Sequence, residues 1–172
     1  MGGDKLFLDI LWGMSLEYCI DVVTFEGHVN VRATHRTTLE VTRDDYLTPR
    51  GDCIIGIKSN KGASDLRQCI KENLKIGGTL LGIIITSSGL FDYFIAEGSD
   101  KLTLKNAQKL IIRKSHYVDD STIGLRSNKA SKDLDRALVE ALKRGEKGYL
   151  VLVTFRISQE LSTLPTLPLE LH

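Results

Sequence analysis

The chain of 172 residues is poor in cysteine, proline and aromatic side chains, and these shortages exclude several classes of protein. Its three cysteines, Cys19, Cys53 and Cys69, are odd in number and lack metal-ligand spacing. This disfavours a zinc site or a disulfide framework and favours buried thiols in a reducing cytoplasm. The five tyrosines, five phenylalanines and one tryptophan are not interleaved with basic residues, so no platform for stacking nucleic-acid bases is expected.

An excess of one charge and long hydrophobic runs are also missing. Lysine and arginine total 23 against 22 acidic residues, so no global positive field favours nucleic acid, and an anionic partner must be held locally. The longest apolar runs, around 80–85 and 150–155, have the length of strands, and we expect no membrane partner. The first residues resemble no signal peptide, and Met1 and Met14 both remain candidate starts.

What the chain does contain is a second copy of part of itself. Residues 55–75, IGIKSNKGASDLRQCIKENLK, align without a gap on residues 123–143, IGLRSNKASKDLDRALVEALK, and ten of the 21 positions are identical. Weaker similarity continues upstream at a spacing of 71 instead of 68, so the second copy lacks three residues. The upstream matches are Asp21, Glu26 and Gly27 with Asp92, Glu97 and Gly98. Self-similarity of this length predicts a duplicated structural unit.

The duplication sets the predicted domain organisation. We expect a single domain over residues 17–157, because the length suits one shared core better than two separate ones. The repeat units are predicted at 18–86 and 89–157. An N-terminal extension, 1–16, precedes the domain, and an extended C-terminal tail, 158–172, follows it.

Each copy shows the same order of patterns. Segments rich in β-branched and aromatic residues predict strands at 18–25, 37–42, 53–58 and 80–86, and again at 90–96, 109–113, 121–126 and 149–157. Apolar residues at three- and four-residue steps after each Ser-Asn-Lys predict an amphipathic helix. Two units of strand, strand, strand, helix and strand contain too many strands for a doubly wound parallel sheet. We therefore expect an α+β, mainly β fold: a pseudo-twofold β-barrel or two-sheet sandwich with two covering helices.

The duplicated Ser-Asn-Lys is predicted to lie where a strand gives way to a helix. Unpaired amides and the helix dipole at such a junction bind anions, and Lys61 and Lys129 would add a positive charge. A phosphate or carboxylate would fit this arrangement. The alternative is structural: Ser59 or Asn60, with their counterparts in the second copy, would simply cap the two helices.

The segment 32–42, RATHRTTLEVT, is unusually rich in threonine. Strand alternation would place Thr34, Arg36, Thr38, Glu40 and Thr42 on one wholly polar face, which is either a solvated surface or the wall of a groove. His35 and Thr37 would lie on the other face with Leu39 and Val41. A histidine at that rim is either hydrogen-bonded structure or a general acid or base.

Two further segments carry residues suited to binding an oxyanion. In 47–52, LTPRGD, Arg50 is a cation in a turn, and Asp52 is either a turn anchor or a partner that orients a catalytic group. In the second copy, Arg113, Lys114 and Ser115 precede a histidine. A solvated loop would have the same composition.

No nucleotide-binding, hydrolase or zinc-protease motif is present, so we predict no cofactor and no metal site. The predicted ligand-binding residues are Thr34, His35, Thr37, Arg50, Lys61, Arg113, Lys114, Ser115 and Lys129. The candidate catalytic residues are His35 and Asp52.

With these residues in view, the chain resembles an archaeal family of unassigned function, domain-of-unknown-function family 371. The resemblance covers nearly all of 17–157 and is clearest over 25–57 and 111–142. Its specific motifs are Gly27-His28, Ala33-Thr34-His35, Thr37-Thr38-Leu39-Glu40, Pro49-Arg50-Gly51-Asp52 and Arg113-Lys114-Ser115. The chain departs from the family at Val29, where proline is usual, and at Asp120, where arginine is usual. The resemblance implies an archaeal, cytoplasmic protein and no assigned activity, substrate or cofactor.

Three functions fit the sequence. The first is a binding module for a phosphate-bearing ligand such as a nucleotide, a phosphometabolite or RNA. The second is an enzyme with a pocket between the repeat halves, in which His35 is the acid or base, Asp52 orients it, and Arg113 or Ser115 binds the substrate. The third is a scaffold that binds a protein partner through open β edges or the threonine face. The sequence is also compatible with a homo-oligomer.

Overall fold

The fold is taken from a computed structural model, which describes residues 14–159. Contacts divide the chain into a unit of residues 18–155 and a second unit that combines the two ends, 1–17 and 156–172. Of the second unit, residues 14–17 and 156–159 are described. Most of the predicted extension and tail therefore lies outside the described residues.

Eight strands, two short α-helices and two 3-10 turns make up the described chain. The strands are β1 Met14–Glu26, β2 Thr38–Thr42, β3 Ile54–Gly56, β4 Thr79–Thr86, β5 Phe91–Glu97, β6 Lys109–Arg113, β7 Thr122–Gly124 and β8 Lys147–Gln159. The helices are α1 Gln68–Lys75 and α2 Arg136–Lys143, and the 3-10 turns are Ala63–Asp65 and Ser131–Asp133. The fold is α+β and mainly β, as predicted.

The strands form two four-stranded sheets. The first sheet has the order β1-β8-β4-β5, and β4 pairs antiparallel with both β5 and β8. The second has the order β3-β2-β6-β7, with β2 and β6 antiparallel at its centre and the short outer strands parallel to their neighbours. Single bridges also pair Glu26, the last residue of β1, with Ile57 and Glu97, the last residue of β5, with Leu125. Because the described strands form two sheets, the barrel alternative is wrong.

One hydrophobic core draws on both sheets and both helices. Strand alternation buries every second residue of β4 and β5, and Leu80, Ile84 and Phe94 are fully buried. The helices add Ile70 and Leu74 from α1 and their counterparts from α2 at helical spacing. Each helix is shorter than its apolar pattern predicted, because the first apolar residue, Leu66 or Leu134, lies before the helix in extended backbone.

Two glycines fix the contact between strands and helices. A Cβ on Gly27, just after β1, would lie 1.9 Å from the carbonyl oxygen of Leu142 in α2. A Cβ on Gly98, just after β5, would lie 2.1 Å from the carbonyl oxygen of Leu74 in α1. Only glycine permits so close an approach to backbone. Each strand end thus packs against the helix of the other half of the chain, so the halves are interlocked.

The cysteine prediction was wrong in part. Cys19 on β1 and Cys69 on α1 form a disulfide, with their Cα atoms 6.0 Å apart, and Cys53 is free. The two residues are 50 positions apart. Spacing along the chain could not show that the helix returns to the strand at this point.

The polar face of the threonine strand is not a solvated surface. The strand begins at Thr38, so His35 and Thr37 lie in the preceding loop, and the side chains of Thr38, Glu40 and Thr42 are buried. Because β2 and β3 are parallel, the chain between them must cross over the sheet. The hydroxyl of Thr42 donates a hydrogen bond of 2.9 Å to Asp44 in that connection.

Candidate functional site

The two Ser-Asn-Lys segments stabilise the fold. Asn60 donates its backbone N–H to the carbonyl of Thr24 on β1 and accepts the N–H of Thr24 at its side-chain oxygen, at 3.0 and 2.9 Å. Asn128 makes the same two bonds with Ile95 on β5. Ser59 donates its hydroxyl to the carbonyl of Lys61 at 2.6 Å. The helices begin further along the chain, so the prediction that these residues stand at helix starts was wrong.

Lys61 and Lys129 are held by carboxylates. Lys61 Nζ donates to Asp21 on β1, and Lys129 Nζ donates to Asp92 on β5. Burial by itself would raise the pKa of Asp92, but the bonds from Lys129 and from the amides of Asp135 and Tyr93 outweigh it and lower that pKa. An incoming anion would have to compete with these carboxylates, so the prediction that the two lysines bind a ligand gains no support.

The loop before β2, residues 32–37, is organised by His35, and we call it the His35 loop. His35 Nδ1 accepts hydrogen bonds from the amides of Thr37 at 3.2 Å and Thr38 at 3.0 Å. A ring nitrogen that accepts two bonds carries no proton, so in the neutral ring the proton is on Nε2. The half-buried imidazole therefore has a hydrogen-bond donor left for another group.

Asp52 holds this loop through its backbone. Its carbonyl oxygen accepts the amides of Thr34 at 2.9 Å and His35 at 3.2 Å. The hydroxyl of the fully buried Ser131 donates to the same carbonyl and to that of His35, at 3.3 Å each. The ring of His35 is oriented by the two amides and not by the Asp52 carboxylate. Asp52 therefore acts as a turn anchor in this arrangement.

Basic residues surround the His35 loop on several elements. The amide of Lys132 donates to the carbonyl of His35 at 3.1 Å, and the amide of Lys114 donates to that of Thr37 at 2.8 Å. The guanidinium of Arg136, at the start of α2, donates to the carbonyls of Ala33 and Arg32 at 2.9 and 3.0 Å. These bonds bring cations from distant parts of the chain around one loop.

These cations differ in whether their side chains are already bonded to other residues of the protein. Lys114 Nζ is bonded to Asp133 at 2.8 Å and lowers the pKa of that carboxyl group. Arg113, the cross-strand partner of Thr38, donates to Thr122 at 3.0 Å and to Asp119. Among the residues that the structure describes, no side-chain hydrogen bond or ion pair is found for Arg36, Arg50 or Lys132. Of the three, Lys132 helps to lower the pKa of the neighbouring Asp133, so Arg36 and Arg50 are the cations least engaged within the protein.

Ser115 is less closely tied to the site. Its hydroxyl accepts the amide of Tyr117 at 3.4 Å, and its carbonyl accepts the amide of Arg126 at 3.3 Å. Arg126 and His116 belong to a separate cleft of about 210 Å³ between the end of β5 and the loop after β6. The structure thus brings Thr34, His35, Thr37, Arg113 and Lys114 together, with Arg50 two residues before Asp52.

Sequence reasoning missed Arg36, Lys132 and Arg136 as members of this cluster. A signal for two of them was present, because Lys132 and Arg136 align on the uncharged Ser64 and Gln68 of the first copy. A basic substitution within an otherwise well-matched repeat indicates a position with a separate role.

A buried carboxylate beneath this site was also missed. Burial raises the pKa of Glu40, although the nearby charges of Lys109 and Arg113 oppose this. The thiol of Cys53 lies 3.6 Å from Glu40 Oε2 and donates to it. Burial and the Glu40 charge raise the pKa of Cys53 to about 12, so this cysteine is a neutral thiol and not a nucleophile at neutral pH.

The loop before β6, residues 103–108, has the same backbone bonds as the His35 loop, and we call it the Asn106 loop. Asn106 Oδ1 accepts the amides of Gln108 and Lys109, at 2.8 and 3.0 Å. The carbonyl of Asp120 accepts the amides of Lys105 and Asn106 at 3.0 Å each. Beside this loop is a cleft of about 360 Å³, lined by Ser64, Gln68, Lys71, Glu72, Lys75, Thr103, Leu104 and Lys105.

Two general features bear on the classes of site. Within residues 14–159, no three histidine, cysteine or acidic side chains come together as a metal site. No helix of the described chain is long and apolar enough to cross a membrane.

Comparison with known proteins agrees with the resemblance drawn from the motifs. The family model for a domain of unknown function, DUF371, matches residues 23–155. A protein of the archaeon Methanocaldococcus jannaschii, whose name describes it only as uncharacterized, is 40% identical over 126 residues, which cover 73% of this chain and 93% of that protein. The region matched by the family model includes both loops and both Ser-Asn-Lys segments. The chain belongs to the DUF371 family.

Proposed function

We propose that the protein is a binding module for a phosphate-bearing ligand, and that the ligand is held at the His35 loop. The observation that carries the proposal is the bonding of the His35 ring. Two backbone amides occupy Nδ1, so Nε2–H is left as a donor in a loop whose backbone is bonded to Lys132 and to Asp52, two residues after Arg50. A neutral imidazole donor with nearby guanidinium groups is a suitable arrangement for phosphate oxygens.

The positive charge supports the proposal because it is local. The chain as a whole carries a net charge of +1, yet residues 32–37 contain two arginines and no acid. Arg50 stands two residues before Asp52, whose carbonyl holds the loop, and Lys132 donates its amide to the His35 carbonyl. The acids of the same segments are Asp52 and Asp133, and Asp133 is already paired with Lys114. A small anionic group would be drawn to this place without a global positive field.

We further propose that the two halves are a true duplication related by a pseudo-twofold axis between β2 and β6. The strand orders β1-β8-β4-β5 and β3-β2-β6-β7 read the same after the halves are exchanged. Matched bonds at Lys61 and Lys129, and at His35 and Asn106, also support a duplication. Because a duplicated structural need keeps the same residue, positions where the copies differ are the better candidates for ligand contacts.

The test is a thermal-shift and calorimetric screen of the full chain against inorganic phosphate, nucleoside phosphates and sugar phosphates. We expect at least one of these to raise the melting temperature in proportion to its concentration. The decisive variant is His35→Asn, because asparagine supplies the same acceptor to the two amides as Asn106 does in its own loop. It replaces the Nε2–H donor with a shorter side-chain amide, which in Asn106 is bonded to the carboxylate of Asp120 at 3.1 Å, so affinity should fall by about tenfold or more while stability is retained.

Matched variants complete the experiment. Arg50→Ala should also weaken binding, whereas Lys105→Ala in the Asn106 loop should leave affinity unchanged. A screen in which none of the anions shifts the melting temperature would overturn the proposal. So would a shift that survives His35→Asn and Arg50→Ala but is lost in Lys105→Ala, since the ligand would then bind beside the other loop.

A further inference from the structure

The outward face of the first sheet is apolar over its central part. In the unit 18–155, four strands contribute alternate residues to the face that points away from the core, and we call this surface the outer face. Its residues are Tyr18, Ile20 and Val22 from β1, Tyr149, Val151, Val153 and Phe155 from β8, Leu81, Ile83 and Ile85 from β4, and Phe91, Tyr93 and Ile95 from β5. None of these residues carries a charge, and the face is bordered by the remaining outward positions at the strand ends, Thr24, Glu26, Thr79, Glu97 and Lys147.

This composition is abnormal for a surface exposed to water. An antiparallel sheet with one face on a core has polar residues on its other face. Here the inward face is the hydrophobic core, yet the outer face is equally apolar, and Tyr18 and Phe91 are 68% and 66% exposed. A contiguous apolar surface across four strands marks a site of association.

The edges of the sheet are closed to further strands. On β1 the outward amides of Val22, Thr24 and Glu26 are bonded to Asp21 Oδ1, Asn60 Oδ1 and the Ile57 carbonyl, at 2.8, 2.9 and 2.8 Å. On β5 the amides of Tyr93, Ile95 and Glu97 are bonded in the same way to Asp92, Asn128 and Leu125, at 2.7, 2.8 and 2.8 Å. A partner strand would find no free donor at these positions, so association through this stretch of the edges is blocked.

We propose that the outer face binds a second copy of this chain, face to face, in a symmetric dimer. Four strands about 4.8 Å apart and about seven residues long give a flat area of about 450 Å² per copy. Side-chain relief adds to this, so two copies together would bury about 1,000 Å² or more, the size at which specific interfaces begin. Two sheets that pack at about 10 Å would form a dry, interdigitated layer.

The distribution of side chains favours a copy of the same surface over another partner. A twofold dimer requires one patch to complement itself. The face carries aromatic residues on both edge strands and at both ends of the inner strand β8, and aliphatic residues in the middle of β8 and β4. Rotation by half a turn brings aromatic residues over one another or over the aliphatic middle of the face. Lys129, whose ammonium lies 5.3 Å from the centroid of the Tyr93 ring, is already paired with Asp92, so its charge is partly neutralised.

Sedimentation velocity of the full chain between about 1 and about 100 µM tests the proposal. We expect a dimer that dissociates on dilution. Ile83→Lys places a charge at the centre of the face, where Ile83 lies opposite Tyr93 and Val151. The double variant Tyr18→Lys/Phe91→Lys changes side chains that are largely exposed. Each should raise the dissociation constant at least about 100-fold, because a buried unpaired ammonium opposes association.

The control is Tyr46→Lys, which changes a tyrosine of equal exposure, 67%, in the β2–β3 connection. It should leave the dimer intact. If Ile83→Lys does not fold, as judged by circular dichroism, the double variant decides. A wild-type monomer at the highest concentration would overturn the proposal, whether or not the monomer binds lipid vesicles or another protein. A dimer that neither face variant weakens, or that Tyr46→Lys abolishes, would do the same.

Discussion

The His35 loop and the Asn106 loop share a backbone arrangement but have different side chains around it. In each loop a side-chain acceptor receives two successive amides, and the carbonyl of an aspartate, Asp52 or Asp120, receives two more. Ala33 and Leu104 occupy matching positions with positive φ, 49° and 53°. The geometry does not depend on which side chain supplies the acceptor.

The two loops differ in the hydrogen-bonding groups that are left once the side-chain acceptor has bound the two amides. Histidine has a second ring nitrogen, and cations from three other segments approach its loop. Around Asn106 the residues at the positions of Lys132 and Arg136 are Ser64 and Gln68, and lysines instead line a cleft along α1. Shared contacts therefore identify what the fold needs, and the side chains that differ identify where a ligand is to be sought.

The largest expected difference between the halves comes from the disulfide, which occurs only in the first. A bridge across 50 residues stabilises a chain by about 4 kcal/mol through the entropy of the unfolded state. Cys69→Ser should therefore lower the free energy of unfolding by about this amount in urea titrations. Dithiothreitol should destabilise the wild type similarly and leave Cys69→Ser unchanged, and Cys53→Ser should keep the response. Equal stability with and without reductant would contradict the prediction.

The sequence predicted the secondary structure best. Helical and strand periodicity located both helices and all eight strands to within a few residues, because burial of one face determines the spacing of apolar residues. Contacts between segments that are far apart in the sequence could not be predicted. The pairing of Cys19 with Cys69, the approach of Arg136 to the His35 loop and the burial of the threonine face all depend on how the connections cross the sheets. The carboxylate partners of Lys61 and Lys129 lie 40 and 37 residues away in the sequence. Because the sequence does not show these pairs, both lysines are predicted to be free to bind an anion.

The second-largest loss of stability should come from the two buried lysine–aspartate pairs, and it should be the same in both halves. Asp21→Asn and Asp92→Asn each remove the charge from a buried carboxylate that holds a lysine about one quarter exposed. We expect each to cost about 2 kcal/mol, less than for a fully buried pair, because the lysine can reach water. Urea titrations at pH 7 measure it.

The pH dependence supplies the control for this pair. The pKa of Asp92 is lowered in the folded state, so its contribution is present above its ordinary value of 3.8 and is lost as the pH falls through the folded-state value. The gap between Asp92→Asn and wild type should therefore close in strong acid. Glu97→Gln, in a pair with Arg126 that is more than half exposed, should have little effect at any pH. Unequal losses for the two aspartates would show that the halves are held differently.

A smaller effect is expected from the loop acceptors. His35→Ala and Asn106→Ala each leave two amides without their side-chain partner, and each should cost about 1 kcal/mol in thermal or urea unfolding. His35→Asn should recover most of this loss, because it restores the acceptor. If His35→Ala were silent while Asn106→Ala destabilised the protein, the His35 ring would be held by something other than these two amides.

The smallest effect concerns Glu40, whose counterpart in the second half, and cross-strand partner, is Ile111. Burial raises the pKa of Glu40 above 4.5, so the folded state binds its proton more tightly than the unfolded chain does. Stability contributed by the protonated form is then lost as the pH rises from 4.5 through the folded-state value. Glu40→Gln does not titrate, so its melting temperature relative to wild type should rise over that interval. A difference in melting temperature that is constant with pH would contradict this prediction. It would mean that the charges of Lys109 and Arg113 fully offset the effect of burial on Glu40, and that β2 accepts a buried charge where β6 has the apolar Ile111.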